Sequence, residues 1–184
     1  MWRKFCGFLL KIWGWTPVGG TAPDDKCILL GAPHTSIWDF VVAYLFYKSV
    51  GGDALCMVKE EFFKWPVLGW IIRKMGGIPV NRKNPSSIVL SVIKEMERRD
   101  KFHLAIAPEG TRKPVKRWKA GFHIIAKETG VPVYIAYFDW GTKRVGIHSR
   151  FEITDDAKAD MARIQEIYES LHLVGRYPKD YITH

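Results

Sequence analysis

A histidine and an aspartate stand five residues apart in Pro33-His34-Thr35-Ser36-Ile37-Trp38-Asp39, directly after an apolar run over residues 27–32. An imidazole titrates near neutral pH, so it can accept a proton from a hydroxyl and later return one. A carboxylate on the other ring nitrogen fixes the tautomer and stabilises the imidazolium. Neither Ser36 nor Cys6, Cys27 or Cys56 sits in a nucleophile-elbow sequence. The pair therefore suits activation of a substrate's own hydroxyl. Five residues along one helix lie about 140° apart in azimuth, so the two groups cannot meet inside a single helix. They meet if His34 lies on a loop, Ser36 caps the next helix and Asp39 falls in its first turn, near the positive end of the dipole. The same pattern also fits a plain capping box beside a loop histidine.

Two other clusters hold groups of chemical interest. Gly76-Gly77-Ile78-Pro79-Val80-Asn81-Arg82 is a turn, a short strand and an arginine, and a guanidinium at a strand end suits bidentate contact with phosphate. Ala107-Pro108-Glu109-Gly110-Thr111-Arg112 is a tight turn after an apolar run, gathering a carboxylate, a hydroxyl and a guanidinium. A local Glu109–Arg112 ion pair would also account for it. Lys113, Lys116, Arg117 and Lys119 follow, with Trp118 among them. That patch suits the phosphates of a thioester carrier or an anionic bilayer. With no recognised nucleic-acid module around it, nucleic acid is not expected as a partner.

The elements that must position these groups alternate. Strand patterns fall at 27–32, 54–58, 78–81, 103–107, 133–138, 144–148 and 151–153, and helical ones at 37–49, 60–75, 86–99, 120–129 and 157–171. The order predicts a single α/β domain over 26–184, with a mixed, largely parallel sheet flanked by helices. In such sheets sites form beyond the carboxyl ends of strands, and His34, Arg82 and Glu109 each closely follow one. Residues 17–25 read as a Gly/Pro-rich connector. Residues 62–74 are strongly aromatic but interrupted by Pro66 and Gly69. A second membrane-interface element, an acyl-chain groove and a core helix all fit them.

Composition narrows the partners. The 184 residues carry 28 Lys+Arg against 19 Asp+Glu, a net charge of +9, and eight tryptophans. Such a chain is drawn to something anionic. Its three cysteines argue against a disulfide framework or a zinc site and favour a reducing compartment. No apolar stretch reaches the roughly 20 residues needed to span a bilayer. Residues 1–16 read instead as an amphipathic helix in the membrane interface. Arg3, Lys4 and Lys11 share one side of the wheel, and Trp2, Phe5, Phe8, Leu9, Ile12, Trp13 and Trp15 cover the rest. A helix docked on the domain's own core has the same spacing.

Taken in order, the His34–Asp39, Gly77–Arg82 and Ala107–Arg112 segments, with Val131-Pro132-Val133-Tyr134-Ile135-Ala136, resemble the four motifs of the glycerolipid acyltransferases, which include the lysophosphatidic acid acyltransferases. The resemblance spans roughly residues 27 to 140. It implies that His34 is the general base and Asp39 its partner, that Arg82 holds an acceptor phosphate, and that Glu109, Gly110, Thr111 and Arg112 shape the glycerol and phosphate site. It further implies acyl transfer from acyl-CoA or acyl-carrier protein to a lysophospholipid hydroxyl, foremost 1-acylglycerol-3-phosphate. No metal or cofactor is expected, and the enzyme would lie peripherally on the cytoplasmic face of a membrane. Ala107 stands where the family usually has an aromatic residue, and Asn81 where it commonly has aspartate, which leaves other lysolipid or aminoacyl-lipid acceptors open. A thioesterase or lipid hydrolase using the same base, and a non-catalytic membrane-binding protein, are the competing readings.

Overall fold

The computed structural model describes residues 1–81 and 85–182, with side chains for all of these but 85–87. The chain runs α1 (Trp2–Ile12), β1 (Thr16–Val18), β2 (Lys26–Ala32), α2 (Ile37–Ser49), β3 (Ala54–Lys59), a 3-10 turn (Glu60–Lys64), α3 (Pro66–Lys74) and β4 (Gly77–Val80). It continues through α4 (Pro85–Glu97), β5 (Phe102–Ile106), α5 (Gly121–Thr129), β6 (Val133–Asp139), β7 (Arg144–Phe151), α6 (Ala157–Ser170) and a second 3-10 turn (Pro178–Asp180). The seven strands form one sheet in the order β1-β7-β6-β2-β5-β3-β4. From β6 to β4 every pairing is parallel, whereas β7 runs antiparallel to β6 and carries β1 alongside it. This is the expected mixed, largely parallel α/β sheet.

Alternation along the central strand makes the layers. Ile28, Leu30 and Ala32 of β2 enter a core shared with α4, α5 and α6, while Cys27 and Leu29 face a second core under α1 and α2. Burying each large aliphatic contributes about 1.5–3 kcal/mol. A one-residue slip would exchange the two sets, so the register is firmly set. The five parallel strands then end on one edge, where the loops after β2, β5 and β6 converge.

Three local readings of the sequence need correction. The strand pattern at 144–148 runs on to Phe151 as one strand, β7, with an extra residue in it, and residues 152–153 lie beyond its end. Its register steps from Ile135–Ser149 to Ala136–Ile147, leaving His148 unmatched. The bulge changes phase: Val145 and Ile147 pack on the α1–α2 core, but Phe151 enters the other one. The helix expected over 60–75 is broken at Trp65, and Pro66 opens α3, where its missing N–H is not needed. Gly69 lets that helix approach the preceding turn, since a Cβ there would lie 2.6 Å from the Phe63 carbonyl oxygen. Finally, the connector contains the short edge strand β1.

The aromatic segment is not a core helix: Trp65, Val67 and Trp70 are 68%, 74% and 60% exposed. Helix α1 docks on the domain's own core with one face and leaves an apolar face outward. Cys6 and Leu10 are fully buried against the domain, whereas Trp2, Phe5, Phe8 and Ile12 face outward. Among the described residues, no helix is long and apolar enough to cross a membrane.

Candidate active site

The first turn of α2 builds the site. Ser36, in extended conformation, caps the helix and accepts from the Trp38 N–H at 3.2 Å. Asp39, three residues on, reaches back so that its Oδ2 accepts from the backbone N–H groups of Ser36 at 2.6 Å and Thr35 at 2.7 Å. The same oxygen lies 3.3 Å from His34 Nδ1. The other carboxylate oxygen, Oδ1, accepts from the indole N–H of Trp140 at 2.7 Å. Asp39 is fully buried. A buried charge is tolerated only when it is well paired, and three N–H donors at a helix N-terminus supply that pairing. The capping box and the histidine–carboxylate pair are one construction.

His34 differs from its partner in access, its side chain being 24% exposed. Because Nδ1 faces Asp39, Nε2 points away from the carboxylate, and it has no hydrogen-bond partner among the described residues. Such a nitrogen is free to take a proton from an incoming hydroxyl. The loop that holds the ring is itself held by Glu109, whose Oε1 accepts from the His34 backbone N–H at 2.8 Å. Glu109 is buried, and its Oε2 has no partner among the described residues. Burial pushes its carboxyl up to about 7; the His34 N–H opposes this and the nearby Asp39 charge adds to it.

The remaining residues of this turn behave differently. Gly110 adopts φ +66°, and Lys119 lies so close across it that a Cβ would meet the lysine Cδ at 2.7 Å. Thr111 Oγ1 accepts from the Lys113 N–H at 3.3 Å, and Arg112 is exposed. Neither Thr111 nor Arg112 bonds to His34, Asp39 or Glu109, and the Glu109–Arg112 ion pair does not form. Arg82 lies outside the described residues. Trp118 turns inward to pack on Tyr168 with ring centroids 5.5 Å apart, so the basic patch presents no exposed aromatic face there.

Trp140, at the turn between β6 and β7, was not evident as a site residue from sequence. A buried indole N–H demands an acceptor, but that demand names no residue 101 positions away. The C-terminal segment was missed as well. The Trp140 backbone N–H donates to Val174 O at 2.8 Å, and the Tyr177 backbone N–H donates to Thr35 Oγ1 at 3.2 Å. Residues 174–177 thereby close one wall of the site. Among the described residues, no group of three His, Cys, Asp or Glu side chains could hold a metal ion. A depression of about 510 Å³ between β7 and α6 lies at the opposite edge of the sheet, since Phe151 pairs with Val133 where β6 begins.

A histidine–carboxylate pair beyond the end of a parallel strand, with the second nitrogen free, has the geometry to take a proton from a hydroxyl. Residues 19–138 match the family model described as acyltransferase, and the chain belongs to that family. It is 30% identical over 110 residues to a 1-acyl-sn-glycerol-3-phosphate acyltransferase of Streptococcus pneumoniae, covering 60% of this chain and 40% of the other. It is 31% identical over 147 residues to the chloroplastic 1-acyl-sn-glycerol-3-phosphate acyltransferase BAT2 of Brassica napus, covering 71% and 41%. The chain thus spans about two fifths of the length of these curated relatives. In fold it is similar to the crystal structure of the 1-acyl-sn-glycerophosphate acyltransferase PlsC of Thermotoga maritima. The TM-score is 0.62 at 20% identity, over 93% of this chain and 78% of that one.

Proposed function

We propose that this acyltransferase moves a fatty acyl group from acyl-CoA or acyl-carrier protein to the free hydroxyl of 1-acylglycerol-3-phosphate, giving phosphatidic acid. The observation that carries this reading is the buried Asp39 beside His34 Nδ1, with Nε2 left unpaired, in a chain of this family. Nε2 takes the hydroxyl proton as the oxygen attacks the thioester carbonyl. Asp39 stabilises the imidazolium, and collapse of the tetrahedral intermediate expels the thiolate, which receives the proton from His34. Arg82 and the Glu109–Arg112 turn are assigned to the acceptor's phosphate and glycerol, as the family resemblance implies. The enzyme works from the cytoplasmic surface of a membrane. The outward Trp2, Phe5, Phe8 and Ile12 of α1, beside Arg3, Lys4 and Lys11, support that placement.

Thiol release from acyl-CoA, measured with and without lysophosphatidic acid, tests the reaction. Release should depend on the acceptor, and lipid mass should show phosphatidic acid as product. Equal release without acceptor would identify a thioesterase instead. Acyl-carrier protein in place of acyl-CoA settles the donor.

A further inference from the structure

Behind Asp39, on the side away from His34, the indole of Trp140 carries two cations. Lys143 Nζ lies 4.2 Å from a Trp140 ring centroid and the Arg176 guanidinium carbon 4.7 Å from one. Arg176 also lies 5.4 Å from the ring of Trp38, and Lys143 5.1 Å from that of Trp15. Cations over indole faces are attracted to the ring, but two of them at one indole repel each other. Among the described residues neither has a carboxylate or hydrogen-bond partner for its charged end. Burial and the Arg176 charge hold Lys143 below its usual pKa.

The two cations are brought together by a single carboxylate. Asp139 accepts from Gly141 N–H at 3.0 Å and Thr142 N–H at 3.2 Å, shaping the turn that presents Lys143. It also accepts from Val174 N–H at 2.9 Å, fixing the segment that presents Arg176. Lys143 sits at φ +55°, a left-handed conformation that a residue with a Cβ adopts at some expense. Around this pair the surface is apolar and exposed: Ile12 at the end of α1, Ile37 and Trp38 at the start of α2, and Tyr177. Unpaired cations set among exposed aromatic and aliphatic side chains match the phosphate level of a bilayer.

We propose that Lys143 and Arg176, held at Trp140, form a binding site for the phosphate of an anionic phospholipid in the membrane surface, separate from the acceptor being acylated. The separation follows from direction: His34 Nε2 faces away from Asp39, whereas the cations lie beyond Asp39 on its Trp140 side. The proposal rests on the membrane placement given above but not on turnover. It is therefore tested by binding alone, and a failed acyl-transfer assay leaves it standing.

The 184-residue chain is sedimented with phosphatidylcholine vesicles, with and without a minor fraction of phosphatidic acid. The double variant K143Q/R176Q should lose about tenfold in partition onto the anionic vesicles, with binding to pure phosphatidylcholine retained. The control variant K94Q/K158Q, which removes the same charge elsewhere, should lose much less. Equal losses in the two variants, or no loss in K143Q/R176Q, overturn the site. A second measurement compares the unsubstituted protein with K143Q/R176Q: the Trp140 indole N–H resonance is followed during titration with a soluble short-chain phosphatidic acid. An equal shift in the variant, as product binding beside His34 would give, overturns the site. A saturable shift that inorganic phosphate does not reproduce supports a lipid phosphate. An equal response to inorganic phosphate, or none to the lipid, counts against it.

Discussion

Among the described residues two histidine–aspartate pairs have fully buried carboxylates, and their differences show what makes such a pair chemically available. At His34–Asp39 the imidazole turns Nδ1 to the carboxylate and keeps Nε2 unpaired at the edge of the sheet where strand ends and loops meet. At His123–Asp160 it is Nε2 that lies 3.1 Å from Asp160 Oδ2, and the same nitrogen is 3.1 Å from Thr154 O. That second carboxylate is also occupied by the Thr154 N–H at 2.6 Å and by Arg163 at 2.9 Å, and the histidine side chain is only 6% exposed. Each aspartate sits in the first turn of a helix, Asp39 in α2 and Asp160 in α6. The electrostatic setting is therefore similar. One pair keeps its imidazole accessible at the strand ends, and the other buries it in joining α5 to α6.

The contrast predicts opposite responses to the same substitution. His34→Ala should lower acyl transfer by about 10²- to 10⁴-fold, as loss of a general base does, with little change in melting temperature. His123→Ala should destabilise the fold by about 3 kcal/mol, because it strips a partner from a buried carboxylate. Activity per folded molecule should be kept. Denaturant unfolding alongside turnover separates the two effects, and a large loss of specific activity in folded His123→Ala would collapse the distinction.

Glu109 sharpens it further through pH. Its carboxyl stands at about 7 in the folded chain against a usual 4.5. The folded protein therefore holds this proton where the unfolded chain has released it. The stabilisation is complete below about 4.5 and disappears as pH rises to about 7, a change of up to about 3 kcal/mol from this group. Melting curves of Glu109→Gln should lack that component of the fall. An unchanged pH profile would remove Glu109 as its source. The smallest effect is expected at Trp140. Trp140→Phe keeps an aromatic side chain but deletes the N–H to Asp39, and kcat should drop about tenfold with KM for the acyl donor unchanged. A change confined to KM would argue against a positioning role.

The site was legible in sequence where its parts are contiguous. Pro33 to Asp39 contains the cap, the histidine and its carboxylate partner around one helix start, so spacing alone predicted the geometry that Ser36 and Asp39 adopt. Glu109 could be placed near His34 because both follow parallel strands, and strand order fixes that edge. Trp140 and residues 174–177 could not be found this way, since they reach Thr35 and Asp39 only through the closed sheet. The same limit hid the His123–Asp160 pair, whose members are 37 positions apart. Among the elements, His148 disguised one strand as two by changing the phase of alternation. β1 was missed because three residues containing Pro17 carry almost no pattern.

The bond from Tyr177 N–H to Thr35 Oγ1 joins positions 142 residues apart. On the ribosome, β2, α2 and the His34 loop emerge long before the segment that walls them in. N-terminal portions of a chain begin to fold during synthesis. The loop beside His34 must therefore wait for residues 174–177 to leave the exit tunnel. The wall beside His34 is completed only after every strand of the sheet has been made, because residues 174–177 follow β7 and α6 in the chain.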